Sequence, residues 1–378
     1  MEPVSANHIT RLKTTPDIDK KILTVEAHTA TGNPSAVVSV VVSEGGKVVA
    51  TGKAMQGQPV QLAIENARLW SPENPFLYDM KVTLTDNGKV IDEVNSYAAM
   101  RKYSIRQGAD GITRLQLNNR NVFHFGPLDQ GWWPDGLYTA PTDEALAYDI
   151  EKTKEWGFNM IRKHIKVEPA RWYWHCDRLG ILVWQDMPNG GPSPEWQNNR
   201  YFDGTEAKRT AESEAQFRKE WKEIVDQLYN HPSVAMWVPF NEAWGQFRTE
   251  EIARWTKDYD PTRIVNAASG GNFYPDAGEV LDIHSYPHPR FFLFDIGRVN
   301  VTMGFPLRQS LAYTFVERLV ELQNHRRRKN KKFNWGIYIA CVVLGSVVLA
   351  SLGWLLANDL CSLNKKDVTV TIEVTEGE

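Results

Sequence analysis

Trp237-Val238-Pro239-Phe240-Asn241-Glu242-Ala243-Trp244-Gly245-Gln246 begins as a short apolar strand and runs directly into an Asn–Glu pair, with an indole two residues on. A carboxylate at the C-terminal end of a buried strand, beside an amide and flanked by indoles, suits proton transfer to a sugar oxygen. On both sides of this stretch the chain alternates strand and helix. Upstream, Val122-Phe123-His124-Phe125 reads as a strand, with Asp129, Trp132 and Trp133 in the loop behind it. A helix follows, with Thr142 as N-cap, Asp143 and Glu144 in its first turn, Leu146, Ile150 and Thr153 on one face and Gly157 as its stop. Phe158 to Ile165 is the next strand, and a helix opens at Glu168-Pro169 and ends at Gly180. Strand Ile181-Leu182-Val183-Trp184 runs into Asp186-Met187-Pro188. A long helix carrying Phe217, Trp221, Ile224, Val225 and Leu228 on one stripe then stops at Asn230-His231-Pro232. Downstream come a helix around Thr249 to Asp258, a strand from Arg263 to Ala267, a Gly-rich loop and a strand from Val280 to Ser285.

Strands that alternate with helices and end in polar or aromatic residues describe a (β/α)8 TIM barrel seen from its catalytic rim. Six strands are legible, and Gly111 to Asn300 supplies 190 residues where a complete barrel takes about 250. Arg298 to Thr302 offers a seventh strand. Phe315 to Leu322 has the spacing of an amphipathic helix rather than of a closing strand. The expectation is a partial barrel over residues 111–304. Eleven of the 14 Trp fall between Trp132 and Trp255, which sets this region apart from its flanks; indole faces stack on sugars, though most Trp in such a region belong to its core.

Ahead of the barrel the period changes to two. Ile22 to Glu26, Ala36 to Val42, Val48 to Ala50, Val60 to Ile64, Tyr78 to Leu84 and Val90-Ile91 are short apolar runs separated by turn signals at Gly32-Asn33-Pro34, Gly45-Gly46 and Asp86-Asn87-Gly88. Asn87-Gly88 between two alternating runs is a hairpin turn. Six or so strands of this length make an immunoglobulin-like β-sandwich over residues 1–110, with Trp70-Ser71-Pro72-Glu73-Asn74-Pro75 as a stiff crossover. The chain is therefore multi-domain.

The net charge of −3 gives no reason to expect nucleic acid as a partner. Cys176, Cys341 and Cys361 have neither short spacing nor a neighbouring His, so no metal, cofactor or disulfide framework is expected. Met1 to Asp17 lacks the apolar region of a signal peptide. Near the other end, Phe333 to Ala357 runs 25 residues without a charge, enough for one transmembrane helix. It follows an amphipathic and basic juxtamembrane segment, 305–332, that ends in Arg326-Arg327-Arg328-Lys329-Asn330-Lys331-Lys332. The positive-inside rule then keeps the large N-terminal region cytoplasmic and leaves 358–378 as a short extracytoplasmic tail of a single-pass membrane protein.

The candidate site gathers at the strand ends. Arg162 and His164 share a strand face with Met160. A guanidinium in a barrel mouth is costly unless paired, and Asp186 and Glu242 are its natural partners. His164 and Asp186 are suited to sugar hydroxyls, and Asn241 to the 2-hydroxyl, whose hydrogen bonds strengthen in an oxocarbenium-like transition state. Glu242 is the candidate general acid/base, Trp244 a stacking surface, and His284 and Tyr286 close the sixth strand at the same rim.

Three stretches carry a family resemblance. They are Trp70-Ser71-Pro72-Glu73-Asn74-Pro75-Phe76-Leu77-Tyr78, Gly157-Phe158-Asn159-Met160-Ile161-Arg162-Lys163-His164 and the Asn241-Glu242 pair. To about Val301 the chain resembles glycoside hydrolase family 2, the β-galactosidase, β-glucuronidase and β-mannosidase group. The resemblance implies retaining hydrolysis of a β-glycoside, with Glu242 as acid/base and Asn241, Arg162, His164 and Tyr286 in or near the sugar subsite. Two departures qualify it. The family usually begins with a sugar-binding jelly roll, whereas this chain starts at or just before the second domain. The family's nucleophile is a Glu at the end of the seventh strand, yet Val299-Asn300-Val301 is followed by Thr302-Met303-Gly304-Phe305-Pro306, and between Glu279 and Glu317 the only acids are Asp282 and Asp295. The tail, with its basic cluster, single span and Asp367-Val368-Thr369-Val370-Thr371-Ile372, resembles the membrane anchor of YceG-like endolytic murein transglycosylases. The expectation is a family 2 glycosidase that lacks its nucleophile. The alternatives are an inactive membrane-tethered carbohydrate-binding module or a truncated chimera.

Overall fold

Seven strands precede Ala99: β1 (Ile9–Asp17), β2 (Ile22–Thr29), β3 (Val37–Glu44), β4 (Lys47–Met55), β5 (Val60–Ala63), β6 (Tyr78–Asp86) and β7 (Lys89–Ala98). They form two antiparallel sheets, β1-β2-β5 and β4-β3-β6-β7. The computed structural model to which they belong describes residues 3–197, 200–285, 300–303 and 367–372. Alternation decides the core: Leu23 and Val25, Val38, Val40 and Val42, Val60 and Leu62, and Tyr78, Met80, Val82 and Leu84 all face inward. Asn87 and Gly88 both take positive φ, 48° and 76°, and close the β6–β7 hairpin with Asp86 paired to Lys89. Strand β1 was not expected from the sequence. It is an edge strand in which only Leu12 and Thr14 are buried, so it carries almost no apolar signal, and its Pro16 is tolerable at an edge.

The expected domain boundary at 110 falls inside a hairpin. Strand β8 (Tyr103–Gln107) pairs with β9 (Thr113–Leu117), and β9 with β10 (Arg120–Asn121). Tyr103, Leu115 and Leu117 share one cluster with Trp70 and with the barrel residues Met160, Leu182, Trp184, Met236 and Val238. This small sheet therefore packs both on the crossover at Trp70 and on the barrel strands.

The barrel strands and helices follow in order: β11 (Leu128–Asp129), α1 (Asp143–Glu155), β12 (Met160–Lys163), α2 (Ala170–Leu179), β13 (Leu182–Asp186), α3 (Ala211–Leu228), β14 (Val234–Val238), α4 (Thr249–Tyr259), β15 (Ile264–Val265) and β16 (Val280–Ile283). Strands β11 to β15 are parallel neighbours in sequence order, and Asn266, next after β15, bridges to Val280 of β16. Every residue of β12, β13, β14 and β16 is buried, as a sheet covered on both faces requires. Helix α1 starts where expected, with the Thr142 hydroxyl accepting from the Ala145 amide. The first strand does not: Val122–Phe125 lies outside the strands, and the parallel ladder to β12 is formed by Leu128 and Asp129.

Two more strands join β16. These are β17 (Asn300–Met303) and β18 (Asp367–Ile372), in the parallel order β16-β18-β17. The described residues thus supply eight parallel strands, where the sequence offered six and a seventh at Arg298 to Thr302. Strand β17, which overlaps the seventh strand offered at Arg298 to Thr302, is separated from β16 by β18, which comes from the segment expected to be an extracytoplasmic tail. The segments 305–332 and 333–357 lie outside the described residues. Among the described residues no helix is long and apolar enough to cross a membrane.

The sandwich and the barrel meet at Asp177 of α2. Its carboxylate accepts from the Tyr97 hydroxyl at 2.7 Å and the Ser233 amide at 2.9 Å and pairs with His231 Nδ1 at 2.7 Å, while its carbonyl accepts from Trp70 Nε1 at 2.8 Å. Asn230 adds three bonds to β1, accepting from the Thr14 amide and hydroxyl and donating to the Leu12 carbonyl. Gly180, left-handed at φ 76°, ends α2, and a Cβ there would come within 2.6 Å of the Pro72 carbonyl oxygen, so the crossover loop packs directly on bare backbone.

One buried histidine makes the fold sensitive to acid. Trp184 Nε1 donates to His124 Nδ1 at 2.8 Å, and burial pulls the His124 pKa down to about 4. The ring is neutral in the folded chain, whereas the unfolded chain takes up a proton near pH 6.5. Its contribution is therefore complete above pH 6.5 and is lost as pH falls toward 4, by about 3 kcal/mol. His124→Gln keeps an acceptor for Trp184 and removes the titration. Urea melts of the wild type and this variant at pH 7.5 and 4.5 should show the wild type losing about 2–3 kcal/mol more on acidification. Equal losses would show that His124 does not set the acid limit.

Candidate active site

The interior face of β12 carries Met160 and then Arg162, while Ile161 packs outward against the helices. Arg162 is fully buried, and its guanidinium reaches strand ends around the rim. Its Nε and Nη2 donate to the two oxygens of Asp186 at 3.0 and 2.9 Å, a bidentate pair at the end of β13. Nη2 also donates to Asn241 Oδ1 at 2.8 Å, just beyond β14, and Nη1 lies 3.2 Å from His284 Nε2, just beyond β16. One cation therefore sets the positions of three other candidate groups.

That arrangement fixes a proton. A guanidinium can only donate, so His284 Nε2 accepts from it and the ring hydrogen sits on Nδ1. Nδ1 is 2.6 Å from Glu242 Oε1, so His284 donates to the candidate acid/base. Ser269 Oγ adds a contact to His284 Nε2 at 3.0 Å and one to Asp282 Oδ2 at 2.6 Å. Gly270 takes φ +55°, and a Cβ there would collide with the His284 ring, so only glycine lets this imidazole close on Glu242.

Glu242 and Ala243 themselves adopt positive φ, 46° and 66°. Left-handed backbone at ordinary residues costs of order 1–3 kcal/mol each and persists where surrounding bonds over-determine it. Here the Glu242 amide donates to the Ser269 carbonyl at 3.0 Å, and the Trp244 and Gln246 amides close the turn onto Asn241 and Ala243. The strained turn presents the carboxylate at the rim.

Among the three carboxylates of this cluster, exposure separates the roles. Asp186 is 1 % exposed and receives two bonds from Arg162 and one from the Ile165 amide. Asp282, fully buried, receives bonds from Asn266 Nδ2, Ser269 Oγ and the Gly270 amide. Glu242, 18 % exposed, is the one open to a ligand. His164 faces Gln130, with Nδ1 and Nε2 3.2 Å apart, and Trp244 stands out at the rim. Tyr286 lies outside the described residues. Sequence reasoning passed over Ser269 and Gly270, whose only signal was a Gly-rich loop, and treated Asp282 as an acid out of place rather than as the support for that loop.

The chain matches two family models: glycosyl hydrolases family 2 over residues 7–101 and the TIM barrel domain of the same family over residues 139–287. It carries two domains of glycosyl hydrolases family 2. A putative β-glucuronidase of Formosa agariphila is 32 % identical to this chain over 235 residues, which are 60 % of this chain and 21 % of that protein. A β-galactosidase of Lactococcus lactis is 26 % identical over 230 residues, 60 % of this chain and 22 % of that one. The chain thus spans about a fifth of the length of these curated relatives. Among solved structures, a β-glycosidase from Bacteroides vulgatus superposes with a TM-score of 0.62 at 20 % identity, covering 75 % of this chain and 36 % of that one. A Bacteroides uniformis β-glucuronidase gives 0.59 at 20 % identity, covering 75 % and 37 %. At that identity the structures speak for the fold alone.

Proposed function

We propose that the barrel rim binds the terminal sugar of a β-glycoside and that Glu242 protonates the oxygen of the leaving group. The observation behind this reading is the chain of contacts from Arg162 through His284 to Glu242, which aims a partly exposed carboxyl group from a strained turn. Because Asn241 Oδ1 is taken by Arg162, its Nδ2 hydrogens are the end turned to a sugar hydroxyl. The named relatives are β-glucuronidases and β-galactosidases, so a β-linked glucuronic acid or galactose is the first sugar to try.

Retaining hydrolysis needs a second carboxyl group about 5–5.5 Å from the first, on the opposite face of the sugar. The other two carboxylates of the described cluster are each held by three donors, and the sequence after Val301 offers none where the family has its nucleophile. Glu242 therefore stands as the acid half of the pair. The experiment is turnover of nitrophenyl β-glucuronide and β-galactoside with and without sodium azide. Azide attacks the anomeric carbon from the face opposite the β-linked oxygen, its nitrogen bonds to that carbon, and the departing oxygen takes the proton of Glu242. Slow turnover that azide raises, with α-glycosyl azide as product, is the expected result. No binding of either sugar and no turnover with or without azide would overturn the proposal.

The uncharged stretch 333–357 carries a separate proposal, a single membrane span with the large N-terminal region cytoplasmic. One crossing would part β17 from β18, so that span and the ladder exclude each other. Thr302 and Thr369 are ladder partners, and neighbouring strands lie within disulfide reach. In a Cys341→Ser, Cys361→Ser background, a cross-link in Thr302→Cys/Thr369→Cys would rule out the single span. A reporter after Glu378 found outside, with no cross-link, would support it.

A further inference from the structure

Among the indoles exposed at the rim are Trp196 in the loop after β13 and Trp244 in the turn that carries Glu242, at 44 % and 47 % exposure. Trp196 is exposed yet closely tied down. Its Nε1 donates to the Gly270 carbonyl at 2.7 Å. The Asn272 side chain brackets it, with Nδ2 donating to the Glu195 carbonyl at 2.8 Å and Oδ1 accepting from the Gln197 amide at 2.7 Å. Gln246, four residues beyond Glu242, grips the backbone of Asn272 in the same two-point manner, at 2.7 and 3.1 Å. Both amide side chains are buried, Gln246 completely. The turn that holds Glu242 is thereby fastened to the loop that holds Trp196, and the carbonyl anchoring the indole belongs to the glycine packed on His284.

Side-chain entropy and desolvation oppose fixing a large apolar ring in water, so buried amides spent on fixing one point to a ligand face. The leaving group of a glycoside lies on the side of the acid that protonates it, which is the side these loops occupy. We propose that Trp196, with Trp244, forms the surface on which the leaving group of the β-glycoside stacks, and that this surface selects leaving groups with a flat apolar face, an aryl ring or the C–H face of a second pyranose. This rests on the sugar-binding reading above and adds the chemistry of the other half of the substrate.

The test uses 1-thio-β-glycosides, which bind without being cleaved, so it does not depend on turnover. Calorimetric titration of the full chain compares phenyl with methyl 1-thio-β-glucuronide and with the matching galactosides. Stacking of rings is worth about a 2- to 10-fold preference, so the phenyl compound should bind that much more tightly. Trp196→Ala should lower the ratio, and Trp196→Ala with Trp244→Ala should bring it near one, the ratio cancelling any loss common to both compounds. Trp196→Phe should keep part of the preference, and Asn272→Ala, which leaves the indole but removes its bracket, should lose most of it. A phenyl preference undiminished in Trp196→Ala, or methyl and phenyl compounds bound equally by the wild type, overturns this proposal alone. Failure to bind either compound overturns it together with the sugar-binding reading.

Discussion

Glu242→Gln lowers turnover of a β-glycoside with a poor leaving group by roughly 10²–10⁴-fold, the scale of general acid catalysis, while a dinitrophenyl glycoside falls less than about 10-fold. The amide keeps the shape of the side chain, and its Oε1 can still accept from His284 Nδ1, so the turn at Ala243 and the contact with His284 have no reason to shift. Only the transferable proton is gone. An alkyl or phenyl oxygen needs that proton to depart, whereas a dinitrophenolate leaves without it. Both measurements are made with azide present, so that the supply of nucleophile is equal in each. A uniform loss across leaving groups would show that Glu242 acts on binding or folding and not as an acid.

The second large effect is on stability. Arg162→Met should cost about 3–5 kcal/mol, because it leaves Asp186 buried at 1 % exposure without its cation. For a unit of this size each kcal/mol moves Tm by roughly 2–4 °C, so a thermal melt should fall by about 6–20 °C. Replacing both partners, Arg162→Met with Asp186→Leu, should restore most of that, since a buried ion pair exchanged for apolar residues is often neutral or better. Sugar binding should stay lost in the double variant, because Asn241 and His284 still lack the donor that orients them. A single variant melting within 2 °C of wild type, on the scale just given, would mean that the pair is not the buried contact it looks. A double variant that binds sugar normally would remove Arg162 from the site.

The pairing of Arg162 with Asp186 could be read from the sequence because its logic is local: a charge on an interior strand position must meet its opposite, and the next strand ends in one. The helices were legible for the same kind of reason. Thr142 caps, Gly180 terminates, and the stripe Phe217, Trp221, Val225, Leu228 has a single solution. What escaped depends on partners distant in the chain. Whether His284 approaches Glu242 depends on Gly270 lacking a side chain, and no spacing rule connects residues 242, 270 and 284. Strand β1 is written almost entirely in polar residues because it forms an edge, so its alternation is invisible. The place of Asp367–Ile372 in the ladder, 84 positions after Ile283 in numbering, is a matter of sheet order, which the hydrophobic pattern does not encode.

Asp177 has a consequence for inheritance. The residues it holds come from the sandwich, from the crossover at Trp70 and from the loop ahead of β14, so a barrel transferred to another gene without its own sandwich would carry a buried carboxylate deprived of Tyr97 and a floor deprived of the Trp70 indole. Recombination that cuts between the two domains should be selected against, while cuts beyond β16 disturb none of these bonds. The sandwich and the first six barrel strands then travel as one heritable block, and shuffling within this lineage is expected to preserve residues from β1 through β16 together.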